Sequence, residues 1–311
     1  MNATEPKIYK GDKPFKRNAR THQSDFRTNF LRVSFDPANK YGQYGAFLMP
    51  GDANAGLNFC EDFRQEILDG INDRYHRLTA LQHDGLFANM LRSEHIPWNV
   101  FIPMKQDLNA TALVFNKILG VDEIDEVKNI RIEWAPDKTE CLNDNTSFDA
   151  YIEYLHNGKT CGIGIEVKYT EEGYPFSGTT EFREVMENEQ SKYAQITKSC
   201  GWFIPEIANK PIRETDLCRD EFRQIWRNHI LGACMVQNNM LVKFHSITLY
   251  PQGNPHFNEV LPAYEQFLTD EGRSTFGYIT IESLIDLLNQ YFPKTKEFQN
   301  WIQYLRIRYP F

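Results

Sequence analysis

The feature that most constrains this chain is an Asn-Gly pair, Asn157-Gly158, which stands between two segments of alternating apolar and polar residues. Asn-Gly tolerates the positive φ angles of a two-residue turn, so the pattern predicts a β-hairpin. If these residues form the turn, His156 faces Lys159, and the same register places Asp149 opposite Glu166. Directly opposed residues have Cβ atoms about 4.5 to 5.5 Å apart. The sequence therefore predicts two neighbouring carboxylates on one face of a hairpin.

Alternation along the two strands gives the hairpin two different faces. The first is apolar throughout and indicates a core face: Phe148, Ala150, Ile152, Tyr154, Cys161, Ile163, Ile165 and Val167. The second carries Asp149, Tyr151, Glu166 and Lys168, beside which Gly162 and Gly164 are expected to leave open space. The register and the alternation agree with each other, since both gather the charged side chains on one face.

Two opposed carboxylates repel each other and weaken a hairpin, and a divalent cation bound between them would remove that cost. Mg²⁺ takes one or two protein carboxylates, keeps several waters and accepts substrate phosphate oxygens as further ligands. We therefore predict that Asp149 and Glu166 bind Mg²⁺, with Mn²⁺ as an alternative, and that Lys168 orients a nucleophile or offsets developing charge. The alternative is a solvated strand face on which Lys168 bridges the two acids as an ordinary ion pair.

The remaining sequence predicts helices, then three strands including the hairpin, then helices, a strand and helices. Apolar spacing of three and four residues indicates helices within 58–104, and the segment GLFANMLRSEH is expected to end before Ile96-Pro97. Gly120 is expected to cap ATALVFNKILG. The further strands are KNIRIEWAPD and LVKFHSITLYP, and the later helices lie around EVMENEQSKYAQITKSC, EFRQIWRNHILGACM, ITIESLIDLLNQ and KEFQNWIQYLRIRY.

This order of elements predicts one α/β (α+β) domain over residues 26–311, built on a central mixed sheet flanked by helices. Residues 1–25 carry Lys and Arg with few apolar residues, and we expect a loosely held, flexible basic arm that is either solvated or in contact with phosphates.

Composition narrows the class of protein. Apolar stretches are too short for a membrane span, and the N-terminus lacks the apolar core of a secretory signal, so we expect a cytoplasmic protein. The six cysteines include no Cys-x-x-Cys pair, which disfavours zinc and a disulfide framework. The net charge of −8 disfavours tight non-specific binding to DNA, although a local basic surface can coexist with an acidic exterior.

The spacing of the charged residues resembles a known family. Asp149, sixteen intervening residues and then Glu166-Val167-Lys168 resemble the motif of the PD-(D/E)XK phosphodiesterase superfamily. The segments MLRSEHIPWNVF, IEVKYTE and QIWRNHIL look like an uncharacterised bacterial group within it. Ser147-Phe148 precedes Asp149, so the Pro of the motif is absent here.

The resemblance implies a restriction-endonuclease-like fold that binds Mg²⁺ through Asp149, Glu166 and a backbone carbonyl and hydrolyses DNA phosphodiesters. A restriction or defence endonuclease and a homodimer are the corresponding expectations. The resemblance also implies an acid from the helix before the sheet, for which Glu94 is our candidate and Glu66 a weaker one. It further implies a polar residue from the helix after the third strand, for which Gln195 is the candidate.

Other polar residues fit a functional role less specifically. Arg227 lies one turn from Arg223 and is a candidate DNA contact, although both arginines could instead pair with nearby acids. Glu171 is a weak candidate for a second ion, and His229 on an apolar stripe is expected to be a core histidine. Solvent-exposed surface positions remain the alternative for Glu94 and Gln195.

Three functions are compatible with these residues. The first is a metal-dependent deoxyribonuclease that uses Asp149, Glu166 and Lys168. The second is a module of the same fold that binds nucleic acid or a protein without catalysis. The third is a hydrolase of another class, such as a glycosidase, in which paired carboxylates act without a metal.

Overall fold

The computed structural model describes residues 5–173 and 179–309. Within them, five strands form one sheet in the spatial order β1-β2-β3-β4-β5, namely β1 Glu126–Trp134, β2 Phe148–His156, β3 Lys159–Val167, β4 Lys243–Tyr250 and β5 Phe276–Thr280. The first two pairings are antiparallel, whereas β4 is parallel to β3 and β5 is parallel to β4. The predicted mixed sheet flanked by helices is confirmed.

The helices fall into three groups along the chain. Before the sheet lie α1 Pro14–Asp25, α2 Pro50–Asn54, α3 Arg64–Arg74, α4 Ala80–His83, α5 Ile96–Met104 and α6 Leu108–Leu119. Between β3 and β4 lie α7 Thr180–Phe182, α8 Lys192–Ser199, α9 Pro205–Ala208 and α10 Asp220–Gln237. The last group is α11 Pro255–Glu265, α12 Asp270–Ser274, α13 Ile281–Tyr291 and α14 Lys296–Arg308. None of the helices in the described ranges is long and apolar enough to cross a bilayer.

The hairpin between β2 and β3 has the predicted register. Asn157 and Gly158 form the turn with φ angles of +50° and +73°, which is why Asn and Gly suit these positions. His156 pairs with Lys159, and the ladder runs from there to Ala150 opposite Ile165. Extending the same register by one pair brings Asp149 opposite Glu166.

Both faces of the sheet are covered, which differs from the predicted open charged face. Helices α5 and α6 pack against β1, while α10 crosses β3 and β4 on the other face. A Cβ on Gly162 would lie 2.6 Å from the Tyr151 hydroxyl, and one on Gly164 would lie 2.5 Å from the ring of Phe148. The prediction of open space beside these glycines is therefore wrong, because aromatic rings fill it.

Phe148 also lies on the other face from the one predicted. Its ring packs with Tyr151 and Phe244, at centroid distances of 5.7 and 5.5 Å, in the cluster beneath α10. Ala150, by contrast, belongs to the core cluster on the opposite face. Alternation therefore does not hold at the first residue of β2, where the missing side chain of Gly164 leaves room for the Phe148 ring.

Two further boundaries differ from expectation. Ile96-Pro97 begins α5 instead of following the end of a predicted helix, because proline is also favoured in the first turn of a helix. The segment Phe276–Thr280 forms β5, and α13 starts only at Ile281, capped by the Thr280 side chain. Gly120 does cap α6 in the left-handed conformation, as predicted.

The N-terminal segment differs from the predicted loosely held arm, of which residues 1–4 lie outside the described residues. Residues 14–25 form α1, and Gln23 on it is buried. The Gln23 amide donates to the Tyr169 hydroxyl at 2.5 Å and to the Arg308 carbonyl at 2.7 Å. These contacts attach α1 to the end of β3 and to α14. Composition could not predict them, because they join parts of the chain that are far apart in sequence.

The contact between α10 and β4 depends on Gly232, since a Cβ there would lie 2.0 Å from the Phe244 ring. We expect Gly232→Ala to lower the free energy of unfolding by about 1–3 kcal/mol through overpacking, in spite of the better helix propensity of alanine. Chemical denaturation measures the effect. Gly51→Ala in α2 is the matched control, because nothing lies within 4 Å of its Cβ, and it should be neutral or stabilising. Equal stability of the two variants would contradict this packing argument.

Candidate active site

A row of carboxylates crosses the sheet near the ends of β1, β2 and β3. Ile132 and Trp134 pair with Ala150 and Phe148, so Glu133 between them stands opposite Asp149. Asp149 in turn stands opposite Glu166, which pairs with Thr248 on β4. Glu133, Asp149 and Glu166 line one cleft of about 280 Å³. The structure thus brings together the two acids that the hairpin register predicted and adds Glu133 to them.

Asp149 is held in place by the backbone of the neighbouring strand. Its Oδ2 accepts a hydrogen bond of 2.6 Å from the Val167 amide, between Glu166 and Lys168 in sequence. Burial raises the pKa of Asp149 well above its ordinary value, and the negative charges of Glu166 and Glu133 raise it further. Lys168 and the Val167 amide lower it, but they do not offset the other effects. The surroundings of Asp149 therefore disfavour its ionised form.

Glu166 and Lys168 form a buried ion pair. Each residue is 5% exposed, and Glu166 Oε1 lies 2.5 Å from Lys168 Nζ. Burial alone lowers the pKa of Lys168, yet the charges of Glu166 and Asp149 outweigh burial and raise it above its ordinary value. Lys168 is therefore a cation at neutral pH. The alternative of a solvated surface pair does not hold for these two residues.

Two amide side chains from α10 complete the polar contacts of this pair. The Gln224 Oε1 accepts a hydrogen bond from Lys168 Nζ, and the Asn228 Nδ2 donates one to Glu166 Oε2. The two amides stand one turn apart on α10 and so share a face of the helix. Sequence reasoning missed both residues. The sequence shows that Gln224 and Asn228 are four residues apart, but it does not show which strands α10 crosses.

Glu133 was also missed. It has a positive φ of +52°, which a residue with a side chain rarely adopts, and the Arg74 Nε donates to its carbonyl at 2.7 Å. Burial raises the pKa of Glu133 to about 7, and the charge of Glu166 adds to the shift. Glu133 belongs to the row of carboxylates because of the register between β1 and β2. No turn signal in the sequence predicts that register.

Arg227 lines the same cleft, but its guanidinium is engaged by the loop that precedes β2. It lies 2.7 Å from the Asp144 Oδ2 and donates to the Thr146 hydroxyl at 2.7 Å and the Tyr193 hydroxyl at 2.9 Å. Pairing with an acid was the alternative given for Arg227, and the structure has this pair. A contact of Arg227 with DNA stays a prediction.

The other candidates lie away from the cleft. Gln195 is exposed on α8 and donates to the Gln190 carbonyl, so α10 and not α8 brings amides to the acids. Glu94 pairs with Arg92 and lines a second cavity, although its charge still acts on the pKa of Glu133. Glu66 is exposed on α3.

Two remaining residues have structural partners. Glu171 accepts hydrogen bonds from the backbone amides of Ser93, Tyr169 and Thr170, which does not favour a second ion there. His229 is a buried core histidine, as expected; its ring nitrogens lie 3.1 Å from the Tyr264 hydroxyl and 2.8 Å from the Thr275 hydroxyl, and burial lowers its pKa to about 3.

The residues at the acid row fit a divalent cation of the Mg²⁺ type. In the described ranges, no group of three or more His, Cys, Asp and Glu side chains has the spacing of a complete protein-built metal site. Mg²⁺ does not require one, because it binds through one or two carboxylates and keeps water and substrate oxygens. Asp149 and Glu166 supply such oxygens. Burial, together with the charges of Glu166 and Glu133, raises the pKa of Asp149, and a cation bound there would favour its ionised form.

Comparison with known proteins decides the family. The sequence profile of the PD-(D/E)XK nuclease superfamily matches residues 10–311, nearly the whole chain. The chain belongs to the PD-(D/E)XK nuclease superfamily. The match includes the hairpin, the crossover to β4 and the terminal helices, so the resemblance that rested on Asp149, Glu166 and Lys168 is confirmed for the family. No curated protein and no solved structure matches the chain.

The pKa of Glu133 predicts how stability depends on pH. The folded chain keeps a proton on Glu133 up to about pH 7, whereas the unfolded chain loses it near its ordinary value of 4.5. Stability should therefore fall as pH rises through this window. Glu133→Gln cannot lose the proton, so its stability should fall less, by on the order of 2 kcal/mol, between about pH 5 and about pH 8.

Urea denaturation of both proteins at the two pH values, with EDTA present, measures the difference. Glu153→Gln on the same hairpin is the control, since Glu153 pairs with Arg131 outside the cleft. If wild type and Glu133→Gln lose the same stability, Glu133 does not titrate in this window.

Proposed function

We propose that this member of the PD-(D/E)XK superfamily is a Mg²⁺-dependent nuclease that hydrolyses DNA phosphodiesters at Asp149, Glu166 and Lys168. The observation that carries the proposal is the row of carboxylates in one cleft, with Lys168 buried against Glu166 and Asp149 held on the Val167 amide. Superfamily membership supports a nuclease. DNA as the substrate and Mg²⁺ as the ion go beyond membership and belong to the proposal.

Each residue has a separate part in this proposal. Asp149 and Glu166 would hold the cation, which supplies polarisation of the phosphorus and stabilisation of the leaving oxygen. Lys168, a permanent cation beside Glu166, would hold the attacking water and offset negative charge on the phosphate. Gln224 and Asn228 fix the Lys168 ammonium and the Glu166 carboxylate, so they act as positioning residues.

Binding without catalysis is the other candidate function, and one observation bears on it. Both Glu166 oxygens have protein partners, Lys168 on one side and Asn228 on the other, so a ligating Glu166 must share or exchange a partner. A chain in which this exchange does not occur would bind nucleic acid or a protein without cutting. A restriction or defence role and a homodimer stay predictions, since they depend on surfaces and targets beyond the cleft.

The test is cleavage of supercoiled, linear and single-stranded DNA with Mg²⁺ or Mn²⁺. We expect Asp149→Asn and Lys168→Ala to lower the rate by about 10²-fold or more, because each loses a group that acts on the transition state. Glu153→Gln, a carboxylate on the same hairpin with its side chain 28% exposed, should cut at the wild-type rate. Thermal melting shows whether each variant is folded.

The other outcomes discriminate among the alternatives. Equal cleavage by wild type and both site variants places the activity elsewhere. If folded wild type neither binds Mg²⁺ in calorimetry nor cuts DNA, the result would favour the binding module. Hydrolysis of a glycosidic substrate that persists in excess EDTA would favour paired carboxylates acting without a metal.

A further inference from the structure

A second cavity, of about 510 Å³, opens beside the chain segment that follows β3. We name it the aromatic cavity and define it by Tyr9, Tyr41, Tyr44, Phe47, Arg20 and Glu171 on its walls. Its size is within the range of small-molecule sites, roughly 300–1,000 Å³. It is distinct from the acid cleft, with which it shares no lining residue.

Large apolar surfaces in the aromatic cavity are exposed to solvent. Tyr41 is 56% exposed and stacks on Phe47 with a ring-centroid distance of 6.4 Å, while Tyr9 is 43% exposed. Leu81 on the same wall is 84% exposed. Exposed apolar side chains that gather in a concave site mark a place where a ligand binds. Ring faces of this kind are the surfaces on which planar groups stack.

Charged side chains of both signs line the aromatic cavity, namely Lys16, Arg20 and Arg92 against Asp12, Asp84, Glu94 and Glu171. The Arg20 guanidinium lies over the Tyr9 and Tyr44 rings, 5.4 and 5.7 Å from their centroids, and Asp12 pairs with it at 2.6 Å. Residues 7–20 contain six Lys and Arg against one acid, in a chain whose net charge is −8. The excess of positive charge therefore belongs to segment 7–20 as a whole and not to the cavity wall, and it suits phosphates on either side of a group bound in the cavity.

The aromatic cavity is also close to the end of β3, the strand that carries Glu166. Thr170 and Glu171 on its wall follow Lys168 by two and three residues, and the charge of Glu171 acts on Lys168. Three residues of extended chain span at most about 10 Å. A DNA strand advances about 3.4 Å per nucleotide, so this distance corresponds to roughly three nucleotides. Lys168 contacts Glu166 of the acid cleft, so a strand that runs from the cleft toward Glu171 would bring a nearby nucleotide to the cavity.

We propose that the aromatic cavity receives an unstacked nucleobase of a DNA strand whose scissile phosphate lies at the acid cleft. The proposal rests on the proposed nuclease function and extends it to substrates with single-stranded or locally opened segments. The rings would stack on the base, and the amide and carboxyl side chains that line the cavity would hydrogen-bond to its polar edge. Basic residues of 7–20 bind the flanking phosphates. An apolar peptide would use the rings but would gain nothing from this basic segment.

The experiment measures binding of a short single-stranded oligonucleotide in EDTA and, separately, in Ca²⁺. A series of oligonucleotides carries one abasic site, moved by one position at a time. If one base is held in the cavity, an abasic site at one or two positions should weaken binding to wild type on the order of tenfold. Tyr41→Ala should weaken binding of the intact oligonucleotide by a similar factor and remove the positional effect.

Two controls separate ring stacking from general damage. Tyr41→Phe keeps the ring and should bind as wild type does. Val242→Ala shortens an apolar residue that is 55% exposed outside the cavity, and it should also leave binding unchanged. Thermal melting of each variant shows that it is folded.

Several results would overturn the proposal. They are equal affinities of Tyr41→Ala and wild type, an abasic series without a positional minimum, or no oligonucleotide binding in either buffer. Normal cleavage with unchanged affinity of Tyr41→Ala would reject the base site and leave the nuclease in place. A positional minimum that depends on Tyr41, in a protein that does not cut, would reject the nuclease and leave the base site.

Discussion

The structure depends on how a row of carboxylates is kept inside a folded sheet. Glu133, Asp149 and Glu166 stand next to one another across β1, β2 and β3, where like charges repel and burial disfavours ionisation. The buried cation Lys168 and hydrogen bonds from the Val167 amide and from α10 stabilise these carboxylates. Burial and the neighbouring carboxylates still raise the pKa values of Asp149 and Glu133, so these contacts do not stabilise the ionised forms fully. A divalent cation bound between these carboxylates would stabilise their ionised forms, which makes the cleft suitable for one.

Helix α10 connects the packing of the core to this row of carboxylates. It crosses β3 and β4 closely because Gly232 leaves space for Phe244, and the same crossing puts Gln224 and Asn228 over Lys168 and Glu166. Through Arg227 it also holds the loop around Asp144 that leads into β2. Packing of the core and arrangement of the site are therefore not separate properties here, since both follow from the position of one helix.

The position of α1 joins the two cavities in a similar way. Gln23 binds the Tyr169 hydroxyl, one residue after Lys168, and the basic face of the same segment borders the aromatic cavity. Residues 7–20 thus carry a local excess of positive charge in a chain whose net charge is −8. Net charge alone disfavours nucleic acid as a partner, but it averages over the whole surface and does not report such a local excess.

Local signals in the chain were enough to predict the geometry of the hairpin. Asn157-Gly158 and the period of two place Asp149, Glu166 and Lys168 on one face, since turn type and alternation depend on neighbours in the chain. Glu133, Gln224 and Asn228 joined them only in the tertiary structure, because the register of β1 and the crossing of α10 join residues far apart in sequence. The same reason explains Phe148, whose place depends on Gly164 across the ladder, and the buried Gln23. Local signals determined which residues are neighbours on the hairpin, whereas packing decided what surrounds them and how much of their charge is compensated.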